Sequence, residues 1–286
     1  MTPTCIWPLA AKLGEGPLWW DDALWFTDIK LQKIHRLDPA TGQKTSWDAP
    51  SQIGFVAPVR DGGFIAGMQS GLHRFDPATG GFALLTTVEP HLPGNRLNDC
   101  AVDTAGRLWF GSMDDAEERC AGALYCYEKG VLRVADPDYL ITNGPAFCPS
   151  GKTLYHTDTL KKEIYAFDLA ADGTITNKRV FARIEEGAGY PDGPVTDAEG
   201  FVWCALFMGW GIRRYAPDGR LVQTIRLPVA NVTKVAFGGA DLRDVYVTTA
   251  WKGLDDDARA AQPLAGGVFH VRSDVPGQAQ AAVLLA

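Results

Sequence analysis

The chain has 286 residues, enough for one large domain or two ordinary ones. Hydrophobic residues make up 46% and charged residues 21%, so a sizeable globular core is available. The formal net charge is −7 and Lys and Arg form no cluster, which excludes the concentrated positive surface that nucleic acid or an anionic membrane requires.

Residues 1–11 lack a basic start and are interrupted by Pro3 and Pro8, so no secretory leader is expected there. No apolar run reaches the length of a membrane span, and the expected address is the cytoplasm. The six cysteines show neither a CxxC pair nor a zinc spacing and read as small buried hydrophobes. Cys120 and Cys126 are close enough in sequence to pair if oxidised.

In chain order, the first strand signal is Leu24-Trp25-Phe26-Thr27-Asp28, followed by Ile34-His35-Arg36-Leu37-Asp38-Pro39-Ala40-Thr41-Gly42. The pair then recurs. Phe64-Ile65-Ala66-Gly67 precedes Leu72-His73-Arg74-Phe75-Asp76-Pro77-Ala78-Thr79-Gly80, a nearly verbatim copy. Leu108-Trp109-Phe110-Gly111 precedes Leu124-Tyr125-Cys126-Tyr127, and Leu154-Tyr155-His156-Thr157-Asp158 precedes Ile164-Tyr165-Ala166-Phe167-Asp168. Val202-Trp203-Cys204-Ala205 precedes residues 212–219, and Val245-Tyr246-Val247-Thr248 precedes residues 268–271. Each copy alternates apolar with polar residues and is bounded by Asp, Pro or Gly turns, whereas no helical period is sustained.

Units of roughly forty to fifty residues, each worth about four short strands, predict a β-propeller. Six copies predict six blades in an all-β fold, with one propeller domain spanning 1–286. A two-sheet sandwich is the alternative, but it does not account for six equivalent copies. The ring must close, by a terminal strand near residues 5–9 or 281–285.

The starts of the innermost strands share a pattern: Glu15-Gly16-Pro17, Asn143-Gly144-Pro145 and Asp192-Gly193-Pro194. Asn98-Asp99-Cys100-Ala101 falls in register with Asn143-Gly144-Pro145-Ala146. Equivalent positions in a ring point at its axis, so Glu15, Asn98, Asn143 and Asp192 are expected to converge in the central channel. Blade six offers Thr233 or Asn231, and blade two only Gly54 or Phe55. Taken singly, Glu, Asn and Asp before Gly are ordinary turn formers. Their shared register at four blades points instead to a site, and two carboxylates on one axis call for a cation. Oxygen donors without Cys suit Ca²⁺, Mg²⁺, Mn²⁺, Fe²⁺ or Zn²⁺.

Long loops at residues 112–121 and 250–266, with Phe207-Met208-Gly209-Trp210, are placed to wall the channel mouth. Asp114, Asp115, Glu117 and Glu118 in the first of them read by default as a solvated face. Serines lack the G-x-S-x-G elbow, His35, His73 and His270 lie on a repeated outer strand, and His156, which ends a second strand and could approach the site, is read as a packed or rim histidine.

Leu13-Gly14-Glu15-Gly16-Pro17, Arg96-Leu97-Asn98-Asp99, Gly111-Ser112-Met113, Thr142-Asn143-Gly144, Tyr190-Pro191-Asp192-Gly193 and Phe237-Gly238-Gly239 together resemble the regucalcin/gluconolactonase (senescence marker protein) family. The look is most similar to bacterial sugar-acid lactonases of the xylonolactonase kind. The resemblance implies a sugar lactonase whose one divalent ion (Fe²⁺, Zn²⁺, Mn²⁺ or Ca²⁺) is held by Glu15, Asn143 and Asp192. It implies that Asp192 doubles as general base and that Arg96 and Asn98 bind the lactone. It also implies an acidic lid residue in contact with substrate, which Asp114, Asp115, Glu117 and Glu118 could each supply, with Glu117 carried as the candidate. Leu97 stands where the family often has Pro. A pentonolactone is the substrate the resemblance suggests. Two readings compete with the enzyme: a non-catalytic metal-binding regulatory propeller and a protein-interaction propeller. The Arg96–Asn98 pair favours the enzyme, since an ion buffer needs neither, and no protein partner is implied.

Overall fold

In the computed structural model, residues 2–285 are described, and they form six four-stranded antiparallel sheets around a central channel. The sandwich alternative is thereby excluded. The innermost strands are Gly14–Trp20, Ile53–Pro58, Asn95–Val102, Thr142–Phe147, Tyr190–Thr196 and Asn231–Gly238. In blades one to five the four strands follow in sequence from the channel outwards. The sixth takes its outer strand from the other end of the chain: Thr4–Trp7 pairs with Val268–Arg272. Closure therefore uses the N-terminal of the two candidate segments. The C-terminal segment instead crosses one face of the ring, bridging Asp197 to Gly277 and Val59 to Val283.

The core lies between blades, because each sheet buries both faces against its neighbours. Phe55 meets Phe110 at 5.8 Å between ring centroids, Trp25 meets Phe64 at 4.5 Å, and Trp203 meets Phe237 at 5.2 Å. The first two pairs are tilted and the third is edge-on, within the centroid range of favourable aromatic contacts. The strand-one turns of blades three and five share a device: Asp103 and Asp197 accept from backbone amides of their own turn and from the indoles of Trp109 and Trp203, both at 2.9 Å. One short helix, Asp256–Ala261, sits in the long loop of blade six, with the Asp255 side chain accepting from the Ala258 amide. All six cysteines are free.

The pairing of every innermost strand with the second strand of its blade slips once at the same level. The slips fall between Glu15 and Leu18, Ile53 and Phe55, Leu97 and Cys100, Asn143 and Ala146, Pro191 and Pro194, and Val232 and Lys234. A bulge leaves residues outside the ladder and re-aims their side chains. Six bulges at one level make a belt of unladdered positions around the axis, and the functional candidates sit in or beside it.

Candidate active site

Four bulges deliver polar side chains to the axis. Glu15, Asn98, Asn143 and Asp192 are all buried and line one cavity of about 240 Å³ together with Arg96, Glu117 and Lys252. The convergence expected from the shared register is thus present. Blade two contributes none, for a steric reason. A Cβ on Gly54 would lie 2.4 Å from the Leu97 carbonyl oxygen and 2.5 Å from that of Asn98, so blades two and three approach too closely for any side chain. Blade six is silent as well: the Thr233 hydroxyl donates to the Gly14 carbonyl at 2.6 Å, and the Asn231 amide donates to the Lys252 carbonyl at 2.9 Å.

The amides are oriented by their donors. Asn143 Nδ2 donates to Thr159 Oγ1 at 2.9 Å, which turns its Oδ1 towards the axis, where Asn98 Nδ2 donates to it at 3.1 Å. Asn98 also donates to the Thr142 carbonyl at 2.6 Å and accepts from Arg96 Nη1 at 2.5 Å. Glu15 Oε2 accepts from the Gly16 amide at 3.0 Å, while Asp192 Oδ1 is buried with no hydrogen-bond partner among the described residues. Burial, reinforced by the negative charge of Asp99, pushes Glu15 up to about 8. Burial, then the charges of Glu15 and Asp99, raises Asp192 well above the usual carboxylate range.

An orphaned carboxylate oxygen and two buried carboxylates that resist ionisation leave room at the axis for a compensating positive charge. The donors there, two carboxylates and an amide oxygen, are hard oxygens that fit a divalent cation. Among the described residues no three His, Cys, Asp or Glu side chains come together for a metal, so the Asn143 amide is needed as the third donor.

The acidic loop is not a solvated face throughout, contrary to the default reading. Asp114 is buried and caps the loop, accepting from the Glu118 and Arg119 amides and from the Arg119 guanidinium. Asp115 accepts from Arg96 Nε at 2.7 Å, Lys30 at 2.6 Å and Gln52 at 2.9 Å, tying blades one, two and three together. Its burial opposes ionisation, but Gln52, Lys30 and Arg96 outweigh this and hold it down at about 2. Glu117 lines the cavity and is ion-paired with Lys252 of the blade-six loop. Leu97 continues the strand opposite Ser112, and its side chain joins the core between blades two and three.

His156 is fully buried against Tyr139 at 4.8 Å between ring centroids, away from the cavity, and burial followed by the charge of Lys178 drives it down to about 3. The sequence reading missed Lys252 and Lys234. Lys252 left no signal beyond its place in a long loop. Lys234 did: it is a lone cation in the apolar innermost strand of blade six.

A six-bladed propeller with an oxygen-donor ring on its axis defines the class of protein. The chain belongs to the SMP-30/gluconolactonase/LRE-like family, whose profile matches residues 13–251. It is 34% identical over 284 residues to a 6-deoxy-6-sulfogluconolactonase of Pseudomonas putida, covering 98% of this chain and 97% of that protein. It is 35% identical over 276 residues to an L-arabinolactonase of Azospirillum brasilense, covering 94% and 91%. Among solved structures, a calcium-binding regucalcin of Agrobacterium tumefaciens superposes with a TM-score of 0.95 at 33% identity, covering 98% and 97%.

Proposed function

We propose that the protein hydrolyses a sugar-acid lactone, preferentially a pentonolactone, to the free aldonic acid with the help of one divalent metal ion. The observation that carries this reading is the ring of Glu15, Asn98, Asn143 and Asp192 in one cavity with Arg96 beside it. The lactonase names of two relatives that align over nearly the whole chain support it.

Glu15, Asn143 and Asp192 would hold the cation, which when bound supplies a positive charge that polarises an ester carbonyl. The chain's own residues do the rest. Arg96, kept rigid by Asp115 and Asn98, donates to hydroxyls of the lactone and sets the ring's orientation. Asn98 holds the lactone beside it. The Asp192 carboxylate accepts a proton from water as the water oxygen bonds to the lactone carbonyl carbon. When the ring C–O bond breaks, that proton goes to the departing oxygen, leaving a hydroxy acid. Met113, Ile141 and Phe207 wall the cavity and limit bulk water.

The test is hydrolysis of a panel of pentono- and hexonolactones by metal-stripped protein, with Ca²⁺, Mn²⁺, Zn²⁺ and Fe²⁺ restored singly. Activity that appears only with metal supports the reading. Metal-independent hydrolysis, or none with any lactone, sinks it. A non-catalytic, metal-binding role is the outcome if ions bind but no lactone opens.

A further inference from the structure

Two cavities end on the channel axis from opposite faces and divide its polar residues between them. One ends on Glu15, Asn98, Asn143 and Asp192. The other, of about 150 Å³ and bordered by tail residues 278–281, ends on Asp99 and Lys234. These two side chains therefore form the septum of the channel, and the mechanism above uses neither.

The septum is built with care. Lys234 Nζ donates to Asp99 Oδ1 at 2.5 Å and to the Cys100 carbonyl at 3.2 Å. Asp99 accepts in addition from the Gly144 amide at 2.8 Å and the Cys100 amide at 2.8 Å. The side chains of Lys234 and Asp99 are only 5% and 1% exposed, so the ion pair is shut away from solvent. It lies directly beneath the ring. A Cβ on Gly193, the neighbour of Asp192, would meet Lys234 Cδ at 2.6 Å and Cγ at 2.7 Å, with Asp99 Oδ2 at 3.0 Å. Gly144, which donates to Asp99, is the neighbour of Asn143. Gly193 thus leaves room for the lysine stem, and Gly144 ties the aspartate to the ring.

The charges explain why a cation stands there. Asp99 lies beside the two ring carboxylates, and after burial it is neighbouring carboxylate charge, that of Asp99 included, that makes Glu15 and Asp192 harder to ionise. Arg96 is committed to Asp115 on the other side. Lys234 opposes the mutual repulsion at both Glu15 and Asp192. When a bound ion has displaced the protons of Glu15 and Asp192, the group with Lys234 counted carries two negative charges, the complement of one divalent ion. Without it, the group carries three, and Asp99, held only by the Gly144 and Cys100 amides, is an uncompensated carboxylate bordering the second cavity.

We propose that Lys234 is a built-in counter-cation that cancels Asp99 and restricts the channel to a single divalent ion. This rests on the reading that the ring holds a divalent cation. Lys234 is a positioning and selectivity residue, not one that touches substrate.

The test titrates metal-stripped full-length protein with MnCl₂, CaCl₂ and ZnCl₂ by calorimetry, with elemental analysis after equilibrium dialysis for stoichiometry. Wild type binds one ion per chain. Lys234→Met, with three uncompensated carboxylates, binds a second ion or binds the first at least about tenfold more tightly. Asp99→Asn leaves the ammonium uncompensated and weakens binding by about tenfold or more. The double variant removes both charges together and returns close to the wild-type dissociation constant. A merely structural role predicts loss of binding in all three, not opposite signs that cancel. Unchanged stoichiometry and affinity in both single variants overturn the counter-cation role and leave the one-metal reading standing. A wild type that binds no divalent ion overturns both. If Lys234→Met does not fold, Asp99→Asn and the double variant decide the matter by the same comparison.

Discussion

Replacing Glu15 by Gln in the metal-stripped protein should stabilise it, while abolishing its response to metal. Glu15 is buried on the channel axis beside Asp192 and above Asp99, and its ionisation is pushed from 4.5 up to about 8. The folded state therefore keeps this proton up to about pH 8, whereas the unfolded chain releases it near 4.5. Between those values the folded state binds more protons, so its stability falls as pH rises and levels off beyond about 8. At about 1.4 kcal/mol per pH unit, the full cost of ionisation is at most about 5 kcal/mol, part of it shared with Asp192. Glutamine has the same shape and no charge to lose. At pH 8 the metal-free Glu15→Gln variant should melt about 5–10 °C above metal-free wild type. Near pH 5 the two should differ by no more than about 1–2 °C, because wild-type Glu15 is then protonated in the fold. Added divalent ion should raise the melting temperature of wild type, more so at higher pH, and leave the variant unmoved, because binding displaces protons from the carboxylates. Melting is followed by circular dichroism at pH 5, 6.5 and 8 with and without chelator. A variant no more stable than wild type at pH 8, or one whose advantage does not shrink towards pH 5, would refute the reasoning.

Four further outcomes are expected. Asp192→Ala removes the carboxylate proposed as ligand and base and should abolish lactone hydrolysis in a protein that still folds; near-normal turnover would show that its role is misassigned. Arg96→Ala should raise KM by at least about tenfold with metal affinity little changed, since its partners are Asp115 and Asn98, not the two ring carboxylates. Asp115→Asn loosens Arg96 and leaves Lys30 without its carboxylate, so KM should rise while kcat falls less; since Asp115 stays ionised down to about pH 2, it should contribute nothing to any loss of activity between pH 4 and 6. Gly54→Ala places a methyl group 2.4 Å from the Leu97 carbonyl oxygen and should lower the melting temperature by several degrees, with no direct contact to substrate.

Much of the architecture was legible because a propeller writes its geometry into the chain as a period. The copies Ile34–Gly42 and Leu72–Gly80 show it nearly verbatim, and the blade count followed from the weaker copies. The polar ring was legible for the same reason: residues at one station of a repeat share one position in space, so Glu15, Asn143 and Asp192 could be aligned before any contact was known. What alignment could not convey is why the stations aim at the axis. Each innermost strand bulges there, as between Asn143 and Ala146, and a bulge is a departure from alternation that Gly and Pro permit without announcing.

Other features depend on contacts between blades far apart in sequence. Asp115 looked like one of four acids on a solvated loop, but Lys30, Gln52 and Arg96 from three blades converge on it. Glu117 finds its cation in Lys252, and Asp99 in Lys234, each pair 135 positions apart in the chain. The amino-acid sequence by itself determined the repeat, the number of blades and the oxygen donors offered to the axis, because these are properties of local pattern. Only the tertiary structure decided which charges are paired and that Asp192 Oδ1 is left in the cavity without a partner among the described residues. Burial and proximity across the closed ring set the energy of a charge, and neither is a property of any one blade.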